Sequence, residues 1–101
     1  MKGRAFKATV LAAVATALAL ASVATAAIIK GTSGDDILRG TRGADAISAF
    51  AGNDQVDAGP GADLVRAGVG DDTAWGGVGS DLVYGGGGND RLGGGAGQDV
   101  V

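Results

Sequence analysis

Eight aspartates recur at an interval of nine residues: Asp36, Asp45, Asp54, Asp63, Asp72, Asp81, Asp90 and Asp99. With Asp35, Asp57 and Asp71 they make up all 11 acidic residues of the 101-residue chain, which has no Glu. A regular row of carboxylates is a row of short, hard oxygen donors, suited to hard cations and poorly suited to soft metals. Other chemistry is excluded by composition. The chain has no His and no Cys, so it holds no Ser-His or Cys-His nucleophile, no imidazole base, no zinc site of nitrogen or sulfur ligands and no disulfide framework. It also lacks the H-E-x-x-H, G-x-S-x-G and P-loop motifs, and no enzymatic activity is expected.

The aspartates belong to a larger repeat. Two places before each stands a glycine, at Gly34, Gly43, Gly52, Gly61, Gly70, Gly79, Gly88 and Gly97. Two places after each stands an aliphatic residue: Leu38, Ile47, Val56, Val65, Ala74, Val83, Leu92 and Val101. Nine residues divide into a six-residue turn and a three-residue strand. Glycine lets the turn bend tightly and aim its carbonyls inward. Strand side chains alternate, so the aliphatic at the eighth position points in and its neighbours point out. The competing reading is a metal-free solenoid in which Asp only forms turns. Asn or Ser would serve a turn equally well, yet the sixth position is Asp in all eight units.

These units, most clearly G-G-V-G-S-D-L-V-Y at 76–84 and G-G-G-G-N-D-R-L-G at 85–93, resemble the nonapeptide array of the RTX, or haemolysin-type calcium-binding, family. The resemblance covers 31–101. It implies an all-β fold, a right-handed parallel β-roll in which two units form one coil and units n and n+2 stack on the same side. It implies Ca2+ between stacked turns, held by the eight repeating aspartates with turn backbone at Gly34, Gly43, Gly52, Gly61, Gly70, Gly76, Gly79, Gly85, Gly88, Gly94 and Gly97. The bridging pairs would be Asp36/Asp54, Asp45/Asp63, Asp54/Asp72, Asp63/Asp81, Asp72/Asp90 and Asp81/Asp99, an upper bound of six sites. Two carboxylates about 4.8 Å apart repel by roughly 3 kcal/mol at an effective dielectric near 20. With a core this thin, the expectation is a chain largely disordered without calcium and folded with it.

Some units depart from the pattern. The second position is Thr32, Thr41 and Phe50 in the first three units, and the first position is Ala49, Ala58 and Ala67 in the third to fifth. A β-branched or aromatic residue at positive φ is costly, so these turns are expected to differ in shape and the N-terminal units to bind weakly or act as a cap. Ala74 predicts a thin spot in the core. Asp35, Asp57 and Asp71 read as surface charge.

Ahead of the repeats, Lys2, Arg4 and Lys7 precede 22 uncharged residues, Ala8–Ile29, and Ala24-Thr25-Ala26 fits a signal peptidase site. The expected organisation is a signal helix over 1–26, cleaved after Ala26, a short leader at 27–30 and eight repeats over 31–101. A retained membrane anchor is the alternative, but ten of the 22 residues are Ala, only weakly apolar. The reading is therefore a secreted, extracellular protein with no stable membrane insertion after cleavage. Beyond that segment Lys30, Arg39, Arg42, Arg66 and Arg91 stand against the 11 Asp, a balance that disfavours nucleic acid.

The two outer faces should differ. Even-numbered units put Ala46, Leu64, Leu82 and Val100 outward, an apolar row read as a candidate docking or self-association face. Odd-numbered units put out Ile37, Gln55, Thr73 and Arg91 beside Arg39, Asp57, Trp75 and Gly93. The leading expectation is a secreted calcium-binding roll without catalysis. The alternatives are a calcium-stabilised adhesion or matrix module, or the repeat segment of a larger secreted enzyme or toxin.

Overall fold

The structure, a computed structural model, describes residues 26–101. The expected signal segment and its cleavage motif lie, apart from Ala26, outside the described residues.

One three-residue strand ahead of the repeats and one from each of the first seven nonapeptides make up the fold: β1 (Ile28–Lys30), β2 (Ile37–Arg39), β3 (Ala46–Ser48), β4 (Gln55–Asp57), β5 (Leu64–Arg66), β6 (Thr73–Trp75), β7 (Leu82–Tyr84) and β8 (Arg91–Gly93). They form two four-stranded sheets, ordered β1-β3-β5-β7 and β2-β4-β6-β8. Every pairing is parallel and joins residues 18 apart, as in Ile47↔Val65 and Val56↔Ala74. Successive strands thus alternate between sheets, two units make a coil, and the result is an all-β parallel solenoid of about four turns.

The strands are short because only three residues per unit can be extended before the next glycine-bearing turn. Their middle residues face inward, and Ile29, Leu38, Ile47, Val56, Val65, Ala74 and Val83 are all buried. Burying each of the larger ones stabilises the fold by about 1.5–3 kcal/mol. Ala74 is fully buried as well, the smallest side chain in this inward row. Ala49 and Ala58, at the first position of their units, join the same core. The substitution of Ala for Gly there adds a methyl to the interior.

Two ends of the array differ from the expected pattern. The leader at 27–30 is part of the solenoid: β1 pairs with β3 in register Ile28↔Ala46, Ile29↔Ile47, Lys30↔Ser48. Ile29 stands nine residues before Leu38, so it occupies the inward position of one further unit. The last unit forms only an isolated bridge, Leu82↔Val100. Leu92 is partly buried and Val101 is exposed rather than inward.

Candidate metal centre

Each repeating Asp sits where a turn enters a strand, and stacking of coils puts it inside. Asp36, Asp45, Asp54, Asp63, Asp72 and Asp81 are no more than 3% exposed, a burial that charged residues rarely show unpaired. Asp90 and Asp99 are half-buried.

The coil-to-coil spacing brings these residues into two ladders. In one, the Asp36 N–H donates to Asp54 Oδ1 (2.7 Å), Asp54 N–H to Asp72 Oδ1 (2.8 Å) and Asp72 N–H to Asp90 Oδ1 (2.9 Å). In the other, Asp45 N–H donates to Asp63 Oδ1 (2.8 Å), Asp63 N–H to Asp81 Oδ1 (2.9 Å) and Asp81 N–H to Asp99 Oδ1 (2.8 Å). The six carboxylate pairs expected from units n and n+2 are the six steps of these ladders. One oxygen of each carboxylate is therefore used to lock a coil to the one before it.

The second oxygen is not. Oδ2 of Asp54, Asp63, Asp72 and Asp81 is buried with no hydrogen-bond partner. A buried, unpartnered carboxylate oxygen is among the most costly features a fold can carry. Burial drives the Asp54 and Asp63 carboxyls up to about 7, with the like charges of their ladder neighbours adding to the rise and the backbone N–H opposing it. Asp72 and Asp81 are raised for the same leading reason. A hard cation beside these oxygens would satisfy them, and their chemistry fits calcium. Among the described residues no three carboxylates converge on one point. Each step offers two, so the remaining ligands would be turn carbonyls, which calcium accepts readily.

The turns that supply those carbonyls fall into two kinds. From the third unit on, the second and fourth positions have positive φ, for example Gly59 at 81° and Gly61 at 104°. The fourth position also lies close beneath the preceding coil: a Cβ on Gly61 would stand 2.5 Å from the Gly43 carbonyl oxygen. Gly52, Gly70, Gly79, Gly88 and Gly97 share this geometry. Gly76, Gly85 and Gly94, at the first position, lie against the carboxylates of Asp81, Asp90 and Asp99 in their own units. Phe50 adopts φ 70° at the second position, so the third unit keeps the glycine conformation despite its aromatic residue, against expectation.

The first two turns do differ, as their threonines predict. Neither Thr32 nor Thr41, nor Gly34 and Gly43, has positive φ. Thr32 N–H donates to Asp36 Oδ2 (2.7 Å) and its hydroxyl to Asp36 Oδ1 (2.8 Å). Thr41 repeats this on Asp45, at 2.7 Å for both bonds. Each threonine oxygen in turn accepts the N–H of its fourth-position glycine, Gly34 or Gly43.

A third ladder escaped the reading of Asp35 and Asp71 as plain surface charge. Asn53 N–H donates to Asp35 Oδ1 (2.7 Å), Asp71 N–H to Asn53 Oδ1 (2.8 Å) and Asn89 N–H to Asp71 Oδ1 (2.9 Å). These residues are exposed, but each side chain stitches one coil to the next. The opposite turns carry Ala44, Ala62, Ser80 and Gln98 at this position. Reading the fifth position at intervals of 18 rather than nine reveals the difference.

The model of a family described as RTX calcium-binding nonapeptide repeat (4 copies) matches residues 30–65 and again 66–101. No curated protein and no solved structure matches the chain.

Proposed function

Because this chain belongs to the RTX calcium-binding nonapeptide repeat family, we propose that it is a secreted module whose solenoid is completed by calcium bound between stacked turns. The observation that carries this reading is the set of four buried Oδ2 atoms, on Asp54, Asp63, Asp72 and Asp81, that no protein group satisfies. A divalent cation would supply what they lack: positive charge and a coordination partner, at the place where carboxylates one coil apart repel each other.

Folding on binding is the second part of the proposal. The carboxylates of Asp54, Asp63, Asp72 and Asp81 are desolvated as the coils stack and left with an unpartnered oxygen, so a counter-ion that satisfies them turns binding energy into folding energy. Extracellular modules bind calcium at about 10⁻⁴ to 10⁻³ M, a range in which the ion is abundant outside cells. The basic start and uncharged run of residues 1–29 support export. This reading assigns the chain no catalysis.

The test is a calcium titration followed by circular dichroism and Trp75 fluorescence, with magnesium as control. Trp75 reports on coil stacking, because its ring lies over Gly93 on the neighbouring strand. A cooperative gain of β-signal with calcium but not magnesium is expected. Asp72→Ala, which removes a residue from two ladder steps, should weaken it. A full β-signal in chelator at neutral pH would refute the switch.

One observation favours a second reading, a self-association face. Ile28, Ala46, Leu64, Leu82 and Val100 stand in register along the outside of the first sheet. Ile28 and Val100 are largely exposed and Leu82 about two-fifths so. A second copy of the chain offers a matching straight apolar row, and an adhesion or matrix role would follow from such pairing. The variant Leu64→Asp plus Leu82→Asp should convert any oligomer to monomer, and unchanged sedimentation would refute it.

A further inference from the structure

We infer that Thr32 and Thr41 take the place of the cation in the first two units, so that the N-terminal coil is a metal-free cap and the ion rows begin at Asp54 and Asp63. This rests on the calcium reading above and specifies which of its steps are occupied.

The inference starts from a contrast between chemically identical residues. All six buried aspartates face the same kind of environment, and four of them hold an orphaned Oδ2. Asp36 and Asp45 do not: both of their oxygens are partnered, Oδ2 by a threonine N–H and Oδ1 by the same threonine's hydroxyl. Asp45 Oδ1 also accepts the Ala27 N–H from β1's coil at 3.0 Å. A carboxylate held by donors on both oxygens is stable as an anion without a metal.

The cause is local and legible in the backbone. Later units have glycine, or Phe50, at the second position with φ between 70° and 90°. A β-branched residue pays heavily for that conformation. Threonine keeps its φ negative, and in the turn so formed its N–H and hydroxyl both meet the carboxylate four residues on. The first Gly-rich turn geometry therefore appears at Phe50 and Gly52, in the unit that holds the first orphaned oxygen, that of Asp54.

The consequence is a shorter metal row. The steps Asp36/Asp54 and Asp45/Asp63 lack a free oxygen on their first member. Four steps remain complete: Asp54/Asp72, Asp63/Asp81, Asp72/Asp90 and Asp81/Asp99. Here the cap is chemical: threonine donors close the carboxylates that an ion closes elsewhere.

Equilibrium dialysis of the full chain against calcium, counting ions bound at saturation, provides the test. Asp36→Asn plus Asp45→Asn should leave the count at the wild-type value, whereas Asp54→Asn plus Asp63→Asn should lower it by at least two. Thr32→Gly plus Thr41→Gly should raise it by up to two. An Asp36/Asp45 variant that remains folded by circular dichroism yet loses two ions would overturn the inference. Because variants can fail to fold, anomalous scattering from calcium-loaded wild-type crystals decides independently. Peaks at the four complete steps and none at Asp36/Asp54 or Asp45/Asp63 support the cap. A peak at either of those two overturns it while leaving the calcium reading intact, and no peak at any step overturns both.

Discussion

Asp63 donates its backbone N–H to Oδ1 of Asp81, one coil on, at 2.9 Å, while Oδ2 of both residues is buried without a partner. Asp54, Asp63, Asp72 and Asp81 are each locked on one oxygen and unsatisfied on the other. The stacking that builds the solenoid is the same event that strips water from its carboxylates.

That relationship sets the pH dependence. Burial raises the Asp54 and Asp63 carboxyls from 3.8 to about 7. A group whose folded pKa lies above its unfolded value binds more protons when folded, so its contribution is present below the unfolded value and is lost as the pH climbs through the folded one. In chelator, the β-signal by circular dichroism should therefore be larger at about pH 5 than at about pH 8. Calcium needs the ionised oxygens, so its half-saturation concentration should fall over the same interval. A chelator signal that rises with pH would contradict the ladder electrostatics.

Two glycines separate backbone need from open space. Gly70 has φ 124°, and a Cβ there would run into the Gly52 carbonyl of the coil beneath. Gly87 has no positive φ and nothing within 4 Å of such a Cβ. In calcium, Gly70→Ala should lower stability by about 1–3 kcal/mol or more. Gly87→Ala should change it by within about 0.5 kcal/mol. Chemical denaturation at fixed calcium measures both.

Phe50 is half exposed and holds φ 70°, the one non-glycine residue with positive φ among the described residues. A left-handed conformation costs an L-residue about 1–2 kcal/mol. Phe50→Gly removes that strain and returns the third unit to the pattern of the fourth to eighth. It should raise the thermal midpoint in calcium, and a lowered midpoint would mean that the ring makes a contact worth more than the strain.

Ile47 is buried between Ile29 and Val65, its register partners in the first sheet. Ile47→Ala should destabilise the calcium-loaded fold by about 2–5 kcal/mol, and Ile47→Val by about 0.5–1.5 kcal/mol. Denaturant midpoints at saturating calcium check the order. Equal losses for the two would show that the coil collapses around the gap.

The period of nine was enough to place the inward aliphatics Leu38 to Val83 and the aspartates at every turn exit, and the family resemblance implied the alternation of strands between two sheets. Each unit repeats the same local chemistry, and strand alternation leaves only one face for the apolar residue. The same period also reaches back to Ile29, nine before Leu38, although a uniform apolar stretch around it hid the strand. What only the tertiary structure decided is which oxygen of each carboxylate has a partner. That depends on the residue 18 positions away, which supplies the ladder N–H, and on whether the second position of the turn takes a positive φ. Thr32 and Phe50 were alike in sequence as departures from glycine, yet one turn bends away from positive φ and caps its aspartate while the other accepts it. The Asp35, Asn53 and Asp71 ladder repeats at 18 residues, so its fifth-position pattern is legible at that interval, but that these exposed side chains accept the N–H of the next coil was decided by the stacking.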